Sequence, residues 1–280
     1  REALIKLLKK YWGFDEFRDS QKEIIDFVLQ KKDVIALLPT GGGKSLCYQL
    51  PAVLMDGTCL VISPLIALME DQVSQLTKRG IKTAYINSSL HFKDIDRILD
   101  NVIYGNIKIL YVSPERLKTD LFLDRFKKMN VSFVAVDEAH CISEWGNDFR
   151  PEYRNISAIK TLKKDLSFIA LTATATPEVV IDIEKQLSFK ESNKIQRSFI
   201  RNNINYSVIN GISKEKVLIK LLTNQCSIIY VRNRKKTKEL SKLLNSNNYK
   251  TDYYHGGLDF KERSKKQNRW INNEFDTIIA

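Results

Sequence analysis

At 280 residues, with 43% hydrophobic and 28% charged side chains, the chain has a globular composition and the length for one large or two ordinary domains, which excludes a disordered segment or a short peptide module. No apolar run approaches membrane-spanning length, and lysines interrupt the opening Arg-Glu-Ala-Leu-Ile-Lys-Leu-Leu-Lys-Lys too often for a signal-peptide core. The chain is therefore expected to be intracellular, with no membrane partner. The formal net charge of +12 points to a polyanion, nucleic acid before membrane.

The opening segment reads as an amphipathic helix. After it, short apolar runs alternate with helical patterns, which predicts a parallel sheet covered by helices. The expected strands are Asp33 to Leu38, Thr58 to Ile62, Thr83 to Ile86, Lys108 to Val112, Ser132 to Val136 and Ser167 to Leu171. Residues 66–76 carry apolar side chains at helical spacing, and Pro177 suits the first turn of a helix after Thr176. From about Ser188 to Gly211 the sequence turns polar and Asn-rich, with a short extended Asn-Tyr-Ser-Val-Ile run, and the domain junction is placed there. A second alternation follows: helix Ser213 to Thr223, strand Ser227 to Val231, helix Arg234 to Leu244, strand Lys250 to Tyr254, helix Phe260 to Ile271, and a strand from Asp276. Because the chain starts without methionine and stops inside that strand, a fragment with an incomplete second sheet is expected. Cys47, Cys59, Cys141 and Cys226 are far apart, with no Cys-x-x-Cys pair and no histidine at metal-ligand spacing. They are expected as core residues, with no zinc site.

Two stretches carry chemistry. Val34-Ile35-Ala36-Leu37-Leu38-Pro39-Thr40-Gly41-Gly42-Gly43-Lys44-Ser45 is an apolar strand, a glycine turn and a helix start. In that order, backbone N–H groups and a helix N-terminus would face a triphosphate, Lys44 would reach the β- and γ-phosphates, and Ser45 would ligate Mg²⁺. The strict pattern wants glycine where Leu38 stands, and a glycine-rich turn beside a surface lysine is the competing reading. Phe133-Val134-Ala135-Val136-Asp137-Glu138-Ala139-His140 is an apolar strand ending in two carboxylates. Asp137 would hold Mg²⁺ and Glu138 would deprotonate the attacking water, unless the segment is only a strand running into an acidic turn. Together the two stretches predict an NTPase.

With Leu171-Thr172-Ala173-Thr174-Ala175-Thr176 downstream and Trp12-Gly13-Phe14-Asp15-Glu16-Phe17-Arg18-Asp19-Ser20-Gln21 upstream, the chain resembles the catalytic core of a RecQ-family DNA helicase of superfamily two. Val-Ile-Ser-Pro-Leu from Val61, Tyr-Val-Ser-Pro-Glu-Arg-Leu from Tyr111 and Tyr-His-Gly-Gly-Leu from Tyr254 are each similar to a family motif. The likeness runs from Trp12 to the last residue, and Leu38 is normal for the family.

The resemblance implies two RecA-like P-loop NTPase lobes, residues 1–200 and an incomplete second lobe in 201–280. It implies ATP and Mg²⁺ as cofactors and single-stranded DNA and duplex junctions as partners, with 3′-to-5′ translocation driven by hydrolysis. Gln21 would read adenine with its amide, a pairing typically worth about 1–3 kcal/mol in base readout, with Phe14 stacked on the base and Arg18 beside it; read from the residues alone, Gln21 could equally be structural. In Ser143 to Tyr153, Trp145 and Phe149 offer stacking surfaces and Arg150 a phosphate contact; packing against the sheet is the alternative for both aromatics. Asn147 stands where the family usually has histidine. Ser63, Ser113, Arg116, Thr172, Thr174, Arg234 and His255 fall in motifs implied to contact or couple to DNA, although Arg232-Asn233 departs from the family's usual Asn-Ser. An arginine finger is implied to lie beyond Ala280, so little turnover is expected of residues 1–280 alone. Two other readings stand beside this one: an RNA-dependent superfamily-two ATPase, and a nucleotide-gated binding module without turnover.

Overall fold

The computed structural model describes residues 2–18, 20–146, 148–198, 200, 203–210, 213–223 and 225–280, the side chain of Phe260 excepted. The chain forms two compact units, Arg1–Arg201 and Asn202–Ala280. It is an α/β protein. The first unit contains α1 (Glu2–Trp12), α2 (Gln21–Leu29), β1 (Val34–Leu37), α3 (Leu46–Leu54), β2 (Thr58–Ile62), α4 (Ile66–Lys78), β3 (Thr83–Ile86), α5 (Phe92–Tyr104), β4 (Ile109–Val112), α6 (Asp120–Lys128), β5 (Val131–Val136), α7 (Ile156–Leu162), β6 (Phe168–Thr172), α8 (Pro177–Gln186) and β7 (Lys194–Gln196).

The strands form a seven-stranded parallel sheet in the order β3-β4-β2-β5-β6-β1-β7. Strands β1, β2, β4 and β6 are buried along their whole length. Continuous apolar runs without alternation suit this position, because helices cover both faces. One layer is built on Ile35, Leu60, Leu110 and Val134 with Phe122 and Phe126, the other on Ala36, Val61, Tyr111 and Phe133 with Ile24 and Tyr48. The register aligns the strand ends: Leu37 with Thr172, Ile62 with Val136 and Val112, and Val112 with Ile86. Every loop leaving these ends therefore emerges along one edge, where ligands collect in open α/β sheets.

Two sequence expectations are corrected. The polar stretch after Ser188 is not all junction: Lys194–Gln196 adds β7 to the outer side of β1, with Ile195 buried between two exposed neighbours. Among the cysteines, Cys47, Cys59 and Cys141 are buried, but Cys226 is exposed. The Asn-Tyr-Ser-Val-Ile run is not part of either sheet.

The second unit contains α9 (Lys214–Leu221), β8 (Ser227–Ile229), α10 (Arg234–Ser246), β9 (Thr251–Tyr253), α11 (Phe260–Ile271) and β10 (Thr277–Ile279). Its parallel sheet, in the order β8-β10-β9, has a small core of Leu240, Leu244 and Ile279. Asn233 and Asp259 cap α10 and α11 by accepting from the N–H groups of Lys236 and Glu262, both at 2.8 Å. No helix among the described residues is long and apolar enough to cross a membrane.

Candidate nucleotide and nucleic-acid site

The glycine turn after β1 opens into α3, so Thr40 to Ser45 lie at a strand-to-helix corner on the carboxyl edge of the sheet. Gly43 has φ +78°, a conformation that glycine reaches without penalty, and a Cβ there would meet Gln21 Nε2 at 2.2 Å. That close approach seats the upstream segment on the loop. Gln21 Nε2 donates to Gly43 O at 3.2 Å, Arg18 Nη1 donates to Gly41 O at 2.8 Å, and the Arg18 N–H donates to Gln21 Oε1 at 2.9 Å. Phe14, half exposed, Arg18 and Gln21 line a cavity of about 380 Å³ with Trp12, Gly43 and Ser45. Gly43→Ala is expected to cost about 1–2 kcal/mol through its left-handed backbone and to displace Gln21. Thermal melts with and without Mg-ATP would show both the lower midpoint and a smaller ligand shift.

Lys44 Nζ donates to Leu38 O at 3.3 Å, the ammonium lying over the end of β1. Across β6, Asp137 and Glu138 leave β5. Burial first, and the Glu138 carboxylate second, push the Asp137 carboxyl up to about 6, opposed by the Glu138 N–H and by Lys44. Two adjacent carboxylates, one of them desolvated, and the Ser45 hydroxyl on the loop one strand away are oxygen donors of the kind that Mg²⁺ takes. Glu138 itself turns the chain in a left-handed conformation, φ 47° and ψ 46°. This carries His140 back over the neighbouring strand, where His140 Nδ1 lies 2.8 Å from Thr172 Oγ1 and 3.5 Å from Glu138 Oε2. Thr172 Oγ1 also accepts from the Thr174 N–H at 3.1 Å. The acidic box and the threonine motif are thus one hydrogen-bonded unit.

The segment after the acidic box is tied back to it. The Arg150 N–H donates to Cys141 O at 2.9 Å, and the buried Tyr153 donates its hydroxyl to Asp137 O at 2.9 Å. Trp145 is 76% exposed, so it is not a packing residue. Phe149 is half-buried, with the Arg154 guanidinium 5.2 Å from its ring centre. Arg150 pairs with Asp148 at 3.3 Å. A cavity of about 570 Å³ is bounded by Trp145, His140, Thr174 and Val179, so the aromatic loop, the acidic box and the threonine motif share one cleft. Asn147 lies outside the described residues.

Ser63 and Ser113 follow β2 and β4; the Oγ of each is buried without a hydrogen-bond partner. Arg116 donates to the carbonyls of Asn87 and Ser88 at 2.9 and 3.3 Å. In the second unit, Arg234 and His255 come from motifs that the fold brings together, since a Cβ at Gly257 would meet Arg234 Nη1 at 2.8 Å. His255 stacks on Tyr253, ring centres 5.7 Å apart, with neither ring nitrogen hydrogen-bonded.

The sequence spacing concealed one group. His140, Cys141 and Asp148 bring donor atoms within 4.8 Å of one another. Burial pushes the Cys141 thiol up to about 12, and it donates to Asp148 at 3.7 Å. The Asp148 charge is balanced within the protein by that proton and by Arg150. Sequence reasoning also missed Tyr48, Gln49 and Tyr111, a buried polar group beneath the phosphate loop; the only linear signal is a pair of tyrosines inside apolar segments.

A phosphate-loop strand and an acidic-box strand separated by one strand, with helices on both faces, define the fold of a P-loop NTPase domain. The chain belongs to the DEAD/DEAH box helicase family, whose model matches residues 18–183, and residues 213–280 match the helicase conserved C-terminal domain. It is 41% identical to the ATP-dependent DNA helicase RecQ of Bacillus subtilis over 98% of its own length and 47% of that protein's. To RecQ of Pasteurella multocida it is 37% identical over 100% and 45%, respectively. The chain thus spans about half the length of these relatives. A nematode protein, RecQ-like DNA helicase blm-1 of Caenorhabditis elegans, is 37% identical over the whole chain and 30% of its own length. Among solved structures, the DUF1998 helicase MrfA bound to DNA and AMPPNP gives a TM-score of 0.74 at 17% identity, covering 99% of this chain and 43% of that one. Dbp5 of Saccharomyces cerevisiae bound to RNA and ADP BeF3 gives 0.70 at 20% identity, covering 99% and 74%. These two likenesses concern the fold.

Proposed function

We propose that the protein is an ATP-dependent DNA helicase of RecQ type, acting inside the cell and moving 3′-to-5′ on single-stranded DNA to open duplex junctions. The observation that carries this reading is the cleft in which the exposed Trp145 and the threonine motif adjoin the acidic box. An aromatic stacking platform beside a water-activating carboxylate is what coupling of strand binding to hydrolysis requires. Residues 1–200 are the ATP-binding lobe and 201–280 the first part of a second.

In this reading Phe14, Arg18 and Gln21 hold the adenine, and the backbone of Thr40 to Gly43 cradles the phosphates. Lys44 neutralises the β- and γ-oxygens, and Ser45 and Asp137 hold Mg²⁺, which supplies charge neutralisation at the transferring phosphoryl group. Glu138 takes the proton of the attacking water, and His140 passes the state of that carboxylate to Thr172 and Thr174. Trp145, Phe149 and Arg150 hold the strand and Arg116 contacts its backbone; Arg234 is assigned the same role within the second unit, while the buried hydroxyls of Ser63 and Ser113 and the buried ring nitrogens of His255 act on it only through neighbouring groups. The net charge of +12 suits such a track.

The test is strand displacement by the full-length protein on duplexes with a 3′ or a 5′ single-stranded tail, with ATP hydrolysis measured on DNA and RNA of the same sequence. Unwinding of only the 3′-tailed duplex, with stimulation by DNA, is expected; stimulation by RNA alone would favour an RNA-dependent ATPase. Trp145→Ala is expected to lower DNA-stimulated hydrolysis by about 5- to 150-fold, since stacking on one aromatic is worth about 1–3 kcal/mol, with DNA-free hydrolysis little changed. Equal losses in both assays would remove Trp145 from strand binding. Residues 1–280 by themselves should bind Mg-ATP with little turnover, because the resemblance puts the arginine finger outside them; phosphate release from this polypeptide measures that directly.

A further inference from the structure

The aromatic loop has metal-ligating side chains at both of its ends. His140 and Cys141 precede Trp145 and Asp148 follows it, and the three bring donor atoms within 4.8 Å of one another. The linear pattern hides this, because His140 and Cys141 are adjacent and Asp148 lies seven residues after the cysteine. The spacing is close to what a tetrahedral ion needs. A sulfur about 2.3 Å and an oxygen about 2.1 Å from such a centre stand about 3.6 Å apart, and Cys141 Sγ and Asp148 Oδ2 are 3.7 Å apart. The other separations exceed that spacing by no more than about 1.2 Å, which small side-chain rotations close. Cys141 is fully buried, whereas His140 and Asp148 line the cleft of about 570 Å³. An ion entering from the cleft would meet imidazole and carboxylate first, with the sulfur behind them and water on its fourth side.

The donor types select the ion. Thiolate, imidazole and one carboxylate suit Zn²⁺, while the Mg²⁺ proposed for the nucleotide takes oxygen donors. Burial pushes the Cys141 thiol up to about 12, so without metal it keeps its proton. As the sulfur–zinc bond forms, that proton leaves through the cleft to water. One thiolate and one carboxylate then balance the dication, and Arg150 gives up its pairing with Asp148, now at 3.3 Å.

We propose that His140, Cys141 and Asp148 form a Zn²⁺ site, water taking the fourth position, whose filling clamps the aromatic loop to the acidic box and slows DNA-stimulated hydrolysis. The clamp follows from the position of the ligands. They bracket Trp145, and His140 is the ring that lies 2.8 Å from Thr172 Oγ1 and 3.5 Å from Glu138 Oε2. That part rests on the reading of the cleft as the place where strand binding meets hydrolysis; the metal site rests on the three side chains alone.

The test begins with Co²⁺ and Zn²⁺ titrated into the chain with Mg²⁺ in excess. Co²⁺ is expected to give the sulfur-to-metal charge-transfer band and the visible spectrum of a tetrahedral site, and Zn²⁺ to erase both. Cys141→Ser should remove the charge-transfer band. Both it and Asp148→Asn should weaken Zn²⁺ about tenfold or more, since losing even an outer-shell partner costs that much. Cys226→Ser, in the second unit, should change neither. A band that survives Cys141→Ser or vanishes with Cys226→Ser would overturn the site. So would unaltered Zn²⁺ affinity in Asp148→Asn, an exposed position at which the melting temperature is expected to hold. In the full-length protein Zn²⁺ should lower DNA-stimulated hydrolysis several-fold, and Asp148→Asn should blunt that loss; inhibition of the same size in the variant, or none in the unaltered protein, would overturn the clamp. Absence of DNA stimulation even without zinc would instead count against the proposed function, with the binding result standing by itself.

Discussion

Lys44→Ala is expected to abolish productive ATP binding. The ammonium sits over the end of β1, within 3.3 Å of Leu38 O, and the triphosphate would replace that neutral carbonyl with charged oxygens. A hydrogen bond to a charged partner contributes about 1.5–3 kcal/mol, so affinity should fall at least tenfold. Turnover should fall further, by roughly 10²- to 10³-fold, because the cation also meets charge that develops on transfer. Isothermal titration with a non-hydrolysable analogue, and steady-state hydrolysis in the full-length protein, would measure the two effects. Unchanged affinity and turnover would remove Lys44 from the phosphate site.

Glu138→Gln should separate binding from chemistry. Glutamine keeps the shape and can keep the backbone turn, yet it cannot take a proton from water. Hydrolysis is expected to fall by roughly 10²- to 10⁴-fold, the usual worth of a general base, with ATP retained. The contact to His140 makes the result more specific. His140 is 3.5 Å from Glu138 and 2.8 Å from Thr172, so an amide at position 138 should also change the DNA dependence of whatever hydrolysis remains. Hydrolysis at the unaltered rate would mean that another group activates the water.

Strands β1, β2, β4 and β6 were legible because they are buried on both faces, a condition that writes itself into the sequence as apolar runs rich in Val, Ile, Leu and Ala. Lys194-Ile195-Gln196 gave no such signal: an edge strand of three residues needs only one inward side chain, and Ile195 alone has no period. The phosphate loop and acidic box were readable since their chemistry depends on neighbours in the chain. The seating of Arg18 and Gln21 on the glycines was not readable, because it depends on a backbone approach across some twenty residues; the family resemblance implied only adenine contacts for them. The meeting of Tyr48 with Tyr111 was not readable, although Tyr111 opens a stretch similar to a family motif. Each looks like a core aromatic in its own segment, and their meeting depends on the side-by-side placement of α3 and β4, which no local pattern encodes. Cys226 was misjudged on composition: its segment opens a short strand in a small sheet with little core to bury it.

The placement of β7 bears on force. Strand β1, which ends in the phosphate loop, is second from the margin of its sheet, and its outer neighbour is the last strand before the second unit. Tension along the connecting chain would first load three residues of ladder, the Arg197 N–H to Leu37 O bond at 3.1 Å and the Arg197 contact to Ser20 Oγ. Leu37 leads into the glycine turn proposed to hold phosphate, and Ser20 immediately precedes Gln21. A pull at this margin would therefore load both segments proposed to hold the nucleotide, through a seam of three residues.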